Sequence, residues 1–421
     1  MKRVLAGFAM CLLGTAVCAA DLQEVQEYID EALRVNPGLS ASRLAMGAVE
    51  EDARAAGALP DPMISYGHFV ESVETRVGPQ EARIGVSQGF PWFGKRDVQR
   101  RIAAHQVLDA QEQVRQSQHA LAYRVSVLFY DLLYVRRSAG ISRETIEVLK
   151  RVEAVARARV KSGGAASAAL SAQVELGLLN DQLQTLMSRD QSLSAQLNAF
   201  LGRPLTEARL ISDRDEPEVT LDPDVLLKRV VESNPSLLKA GVQVGRTSVL
   251  KELAAKEARP DFVVGLDYVV TGDAENPSMP DSGKDAVMAR IGLTLPLWGG
   301  RNDARRESAA VRHRAAQDAY RDREAVLEAQ AVTAIESWKD ATRRRALYKD
   351  SLIPQSEQAL RVAEEGYAGG KVDFLTVMEA ERQHLKFQLA LARAQADVGI
   401  AHARIVELVG GDVQAKEGDH E

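Results

Sequence analysis

Arg83-Ile84-Gly85-Val86-Ser87-Gln88-Gly89-Phe90-Pro91-Trp92-Phe93-Gly94-Lys95-Arg96 is an alternating apolar run that meets Pro and Gly and passes into a long charged, helix-forming stretch. The same order returns in Arg290-Ile291-Gly292-Leu293-Thr294-Leu295-Pro296-Leu297-Trp298-Gly299-Gly300-Arg301. Pro296 follows Pro91 at a distance of 205 residues, and Gly299 follows Gly94 at the same distance. Self-similarity of this length marks a duplicated structural unit, so the second half builds again what the first half builds.

The 421-residue chain is 45% hydrophobic and 27% charged, a folded composition, and its low aromatic content of 5% with abundant Ala, Leu, Arg, Glu and Gln leans helical. Lys2 and Arg3, an apolar run from Val4 to Val17 and the small residues Cys18-Ala19-Ala20 read as a secretory signal peptide over 1–20, too short to be a transmembrane helix. Both cysteines, Cys11 and Cys18, lie inside it, so the exported chain is expected to carry no disulfide; lipidation of Cys18 is the alternative, with Val17 a poor preceding residue. The net charge of -6 becomes more acidic once Lys2 and Arg3 are removed, which argues against nucleic acid as a partner.

From Leu22 to about Gly57 the sequence is helical with a break at Asn36-Pro37, and a counterpart breaks at Asn234-Pro235 after Asp222-Pro223, an N-cap followed by Pro at the first helical position. Each helical stretch ends at a Pro that opens a strand, in Leu59-Pro60-Asp61-Pro62 and in Arg259-Pro260-Asp261. Alternation at period two then follows. Ile64, Tyr66, His68 and Val70 share one face; after a polar Glu71-to-Gln80 loop come Ile84, Val86, Gln88 and Phe90. In the second half Phe262, Val264, Leu266, Tyr268 and Val270 alternate, as do Val287, Ala289, Ile291, Leu293 and Leu295, around a loop from Thr271 to Lys284. Four strands of about ten residues have the length that crosses a bilayer when tilted, and four cannot close a barrel, so several chains must each contribute a share. Two small soluble hairpins are the alternative.

The helix predicted from about Lys95 to Ser162 would run about 100 Å, more than a globular core needs. Val107, Val114, Leu121, Leu128 and Val135 step by seven, and the seam is expected to resume one residue out of phase at Ile141, Val148 and Val155. The second long helix, about Arg301 to Tyr367, contains Pro354, expected to kink or break it. Glycine turns, Lys161-Ser162-Gly163-Gly164 and Ala368-Gly369-Gly370-Lys371, return each into a shorter helix, the first with Asp190 interrupting its leucine stripe.

Gly89 to Lys95 has the spacing of a phosphate-binding loop, but Arg96 stands where a magnesium-holding Ser or Thr belongs, and Pro91, Trp92 and Phe93 fill the place where backbone amides would wrap phosphate. The structural reading is that Pro91 and Pro296 end strands, Trp92 and Trp298 mark a membrane boundary, Gly94 and Gly299 release the backbone into helices, and Lys95 and Arg96 are solvated or interfacial. Glu381 and His384 have the spacing of a di-iron motif without a matching partner, which leaves an ordinary helix surface. Met63, Met279 and Met288 could pass soft metal ions or simply pack. No metal site, cofactor or catalytic constellation is expected, and the chain does not read as an enzyme. Asp373, just past the second glycine turn, either caps the returning helix or, converging from several copies, forms an acidic gate that favours cations; both can hold.

The duplicated corner, Ile353-Pro354, the turn Tyr367-Ala368-Gly369-Gly370-Lys371-Val372-Asp373-Phe374-Leu375 and the Leu201-Gly202-Arg203-Pro204 end of the first repeat resemble the TolC-like outer-membrane efflux family. Leu59-Pro60-Asp61-Pro62-Met63 and Gln88-Gly89-Phe90-Pro91-Trp92-Phe93-Gly94-Lys95-Arg96 look most like its heavy-metal cation efflux branch. The resemblance implies a mainly α fold with a β-barrel part: tandem helix-strand-strand-long helix-helix repeats over 21–211 and 212–411, then a polar tail over 412–421. It also implies a homotrimer with a twelve-stranded barrel in the outer membrane and a coiled-coil α-helical barrel across the periplasm. Gly163, Gly164, Gly369 and Gly370 would then meet a periplasmic adaptor, which links the channel to an inner-membrane pump, the resistance-nodulation-division type favoured, with Asp373 near the constriction. The place matching Asp373 in the first turn is Ser167, so the acidic gate is thinner than the family's. A protein-secretion channel on the same fold and a soluble periplasmic adaptor with coiled-coil hairpins are the rival readings.

Overall fold

The computed structural model describes residues 19–161, 166–207, 211, 222–276, 278 and 280–411. The expected signal peptide over 1–20 (save its last two residues), the expected turn at Gly163-Gly164, Met279 and the expected tail over 412–421 lie outside them.

In order come α1 (Ala19–Val35), α2 (Pro37–Ala55), β1 (Met63–Thr75), β2 (Gly78–Phe90), α3 (Lys95–Lys161), α4 (Ala166–Phe200), α5 (Pro223–Ser233), α6 (Pro235–Glu257), β3 (Asp261–Thr271), β4 (Ala286–Thr294) and α7 (Gly299–Leu347). A π-helical turn (Tyr348–Leu352), α8 (Ile353–Ala368) and α9 (Phe374–Val409) complete the chain. Pro37 and Pro235 open helices at the predicted breaks, and Asp222 caps α5 by accepting the Asp224 N–H at 3.0 Å. The chain divides into two compact units, one of residues 44–113 and 236–323, the other of 1–43, 114–235 and 324–421.

The first unit holds one antiparallel sheet in the order β1-β2-β3-β4. Its register aligns outward rows that run across all four strands: Ile64, Val86, Leu266 and Ala289 form one, and Tyr66, Ile84, Tyr268 and Val287 the next. Their large apolar side chains stand exposed, Ile64 to 79% and Ile291, on the same face, to 77%. The opposite face carries glycines and polar residues among a few apolar ones such as Val269: Ser87, Asp267 and Thr271 are buried there, and the Arg83 guanidinium donates to Asp267 Oδ2 at 2.6 Å with Arg290 at 3.8 Å. Apolar residues outside and charges inside are the reverse of a water-soluble sheet. The expected loop over Glu71 to Gln80 is largely strand instead, with an irregularity between His68 and Val73 and a turn at Arg76-Val77. Ladder bonds pair backbone irrespective of side-chain polarity, so only the alternation ends where the chain turns polar.

In the second unit α3, α4, α8 and α9 pack a core that includes Ile146, Leu149, Leu179, Tyr367, Val377 and Met378. The heptad seam on α3 runs without the phase slip expected from sequence. Val114, Leu121, Leu128 and Val135 continue in step through Ser142, Leu149 and Ala156, all buried, whereas Val155 is exposed. Ser142 and Ala156 occupy buried seam positions, and their polarity or size hid the continuity. Asp190 on α4 is held by Arg136 at 2.6 Å, which explains the interruption in that stripe. Pro354 does not break the second long helix. The preceding π turn, closed by the Ile353 N–H on the Tyr348 carbonyl, widens the helix just ahead of the proline ring and α8 continues to Ala368.

Candidate functional site

The corner between β2 and α3 is built around one carboxylate. Asp261, the first residue of β3, accepts the Trp92 N–H at 2.7 Å and the Lys95 ammonium at 2.8 Å, and Lys95 also donates to the Arg259 carbonyl at 3.1 Å. Lys95 is 7% exposed, so it is neither solvated nor free to meet a phosphate. Arg96 Nε donates to the Gly57 carbonyl at 2.7 Å, tying the end of the α2 segment to the same point. Lys95 is buried and Arg96 half-buried where Pro91 turns the chain back onto the β3 strand, and Trp92 stacks on Phe262 at 5.5 Å between ring centroids. Gly94 lies at φ +77° in the left-handed region, a conformation that Gly adopts without steric cost.

The second corner keeps the sequence but not the lock. Pro296, Trp298 and Gly299 lead from β4 into α7, and Asn302, 8% exposed, donates Nδ2 to the Pro296 carbonyl at 3.2 Å and its backbone N–H to Trp298 at 3.2 Å. Gly299 has no positive φ, and a Cβ there would meet nothing within 4 Å. It is the first residue of the helix rather than the release point expected of it. Trp298, Leu297 and Phe93 are all more than 70% exposed, an apolar and aromatic fringe below the outward face of the sheet.

The glycine turn between α8 and α9 belongs to the other unit. Gly369 caps α8, Gly370 takes φ +72°, and the Lys371 N–H returns to the Gly366 carbonyl at 2.8 Å. Tyr367 and Phe374 meet edge to face at 5.9 Å, and the Arg159 guanidinium sits 4.1 Å over the Tyr367 ring, anchoring the turn to α3. Asp373 is exposed and caps α9, accepting the Thr376 N–H at 2.9 Å and the Thr376 hydroxyl at 2.6 Å. These bonds hold its carboxyl below the usual carboxylate range, so it is charged at neutral pH.

Glu381 and His384 are not an ordinary helix surface. Glu381 is 5% exposed with its Oε2 unpartnered, and burial, reinforced by Glu364 and opposed by Arg151, pushes its carboxyl up to about 7. Ser356 Oγ lies 2.9 Å from His384 Nδ1, whose acidity burial increases. Among the described residues no group of three or more His, Cys, Asp or Glu could hold a metal ion, and no helix is long and apolar enough to cross a membrane. Sequence reasoning missed Asp261 and Asn302 as corner locks. The recurrence of Pro-Asp at residues 60–61 and 260–261 was the signal for the first; a lone Asn gave none for the second.

A sheet apolar outside and polar inside, joined by aromatic corners to very long helices, is the layout of an outer-membrane channel protein. Residues 28–203 and 226–411 match the family model for the outer membrane efflux protein, and the chain belongs to that family. It is 24% identical over 332 residues, 77% of this chain and 68% of the relative, to the pyoverdine export outer membrane protein OpmQ of Pseudomonas putida. With the cobalt-zinc-cadmium resistance protein CzcC of Cupriavidus metallidurans it shares 23% identity over 358 residues, 82% of this chain and 80% of the relative. A solved membrane protein from Pseudomonas aeruginosa superposes with a TM-score of 0.80 at 19% identity, covering 99% of this chain and 98% of that one. The protein is accordingly an outer-membrane efflux protein.

The two corners should respond differently to alanine. Gly94→Ala forces a Cβ into the left-handed region and is expected to cost about 1–2 kcal/mol, while Gly299→Ala should be neutral or stabilising; thermal unfolding of the two purified variants decides it. Glu381 binds its proton more tightly folded than unfolded, so its contribution to stability is full below pH 4.5 and is lost as pH rises through about 7. Glu381→Gln should therefore melt like the parent at pH 4 and above it at pH 8.

Proposed function

We propose that this chain is the outer-membrane channel subunit of a tripartite efflux system, conducting passively what an inner-membrane pump and a periplasmic adaptor deliver. The observation that carries the reading is the sheet: one exposed apolar face across four strands, and two open edges, β1 and β4. An apolar outer face suits lipid, and in lipid an open edge leaves backbone groups without partners, so the strands must close with those of other copies. Three copies would supply twelve strands. The two passages of strand, corner and long helix support a duplicated chain, with repeats over 21–211 and 212–411 behind a signal peptide at 1–20 and ahead of a tail at 412–421.

In this reading Pro91, Trp92, Gly94, Pro296, Trp298 and Gly299 lie where barrel meets periplasmic tube, and Gly163, Gly164, Gly369 and Gly370 form the tip that meets the adaptor. A pump of the resistance-nodulation-division type fits such a tip. Asp373, charged and exposed beside its turn, would converge with its copies into a sparse acidic gate. Heavy-metal cations are the cargo favoured by the Leu59-to-Met63 and Gln88-to-Arg96 segments and by the likeness to a cobalt-zinc-cadmium resistance protein.

Protein purified in detergent is expected to have the mass of three chains and to open conducting pores in planar bilayers; a monomer without conductance overturns the proposal. Asp373→Asn should raise conductance or weaken cation preference, and an unchanged current on both counts removes Asp373 from the gate.

A further inference from the structure

The face of the sheet turned away from the apolar rows gathers its charge in one place. Between the corner at Asp261 and the irregularities at His68/Val73 and Gln80/Ala82, the register puts Arg83, Asp267 and Arg290 on that face and, among the described residues, no other charged side chain. The Asp267 side chain is 1% exposed; it accepts from Arg83 Nη2 at 2.6 Å, and Arg290 Nε stands 3.8 Å away. The Arg83 and Arg290 side chains stay 37% and 45% exposed. Solvent on this side therefore meets two positive groups, with the carboxylate shielded behind them.

Each of the three residues stands opposite a glycine on the neighbouring strand: Arg83 opposite Gly67, Asp267 opposite Gly85 and Arg290 opposite Gly265. Gly85 makes room for the carboxylate, because a Cβ there would stand 2.4 Å from Asp267 Oδ1 and 2.7 Å from Ser65 Oγ. Arg290 lies beside Gly265, with Nη2 3.5 Å from the place that a Cβ there would take. Charged side chains laid against a wall of glycines take up little of the space in front of it. The wall gains charge without gaining a plug.

Resting on the channel reading above, we infer that Arg83 and Arg290 set the charge preference of the barrel, favouring small anions over free cations. With the apolar rows against lipid, this face lines the pore. Two guanidiniums against one carboxylate leave each copy with one net positive charge here, and a closed ring of copies repeats it at one level. Low-dielectric walls focus such a field into the lumen, and rings of basic side chains select anions in this way. Free cations meet a barrier at this level that anions do not, so a cation cargo passes it accompanied by anions. Asp373 carries the opposite sign in the other compact unit, so its effect on the current is separable by mutation.

Reversal potentials across a planar bilayer in a potassium chloride gradient read the preference, at low ionic strength where the screening length approaches about 30 Å. Arg290→Gln leaves the Arg83–Asp267 pair in place and is expected to lower the chloride-to-potassium permeability ratio about twofold or more. Arg290→Lys keeps the charge and should match the parent. Asp267→Asn removes the negative charge, keeps an oxygen for Arg83 and should move the ratio the opposite way, a reversal of sign that a purely structural role does not produce. Pores whose ratio is unchanged in both charge variants, or moves the same way in both, overturn the inference and leave the channel reading intact. A parent protein that forms no pores overturns the channel reading itself.

Discussion

Much of this structure depends on the Asp261 carboxylate, which receives a backbone N–H from Trp92 and the ammonium of a buried lysine. A strand that becomes a helix must change its backbone direction and leave the first helical N–H groups without intrahelical partners. Here the turn is pinned from outside by the start of the neighbouring strand. The same contact fixes where β3 begins, so the register between the two halves of the sheet and the direction in which α3 leaves are set together. A charge-assisted bond to a buried partner is stronger than a neutral one, and losing Asp261 would leave the buried Lys95 ammonium with only the Arg259 carbonyl.

Solvent explains the remainder of the sheet. Water rewards a strand for hiding its apolar face, and this sheet shows that face on every strand while folding Asp267, Ser87 and Arg83 to the other side. Such an arrangement is stable where the outside is hydrocarbon. The long helix α3 obeys the opposite rule, burying its seven-residue seam together with flanking residues such as Leu132, Leu133 and Ile146.

Much of the architecture was legible in the residues themselves. Pro at the breaks, period-two alternation and the duplicated corner have local causes, and the elements fall where those causes act. What stayed hidden depended on neighbours distant in sequence. Ser142 and Ala156 look polar or neutral alone and become seam positions only when another helix covers them; Lys95 looks solvated until Asp261 arrives from 166 residues away. Glu381 has the spacing of a surface residue and is enclosed by α3 and α8, which a single helix cannot reveal. The corner glycines, identical in sequence, differ because Gly94 turns left-handed and Gly299 is already helical.

The π turn at Tyr348 to Leu352 carries a consequence for how chain length is tolerated here. A π turn takes in an extra residue without completing an extra turn, so everything after it is rotated about 100° relative to an uninterrupted α-helix. Ala363 and Tyr367 reach the core with that rotation in place. The segment thus works as a phase adjuster between two stretches with separate periodicities, and a one-residue insertion or deletion elsewhere in α7 has a place nearby to be absorbed before it reaches the buried face of α8.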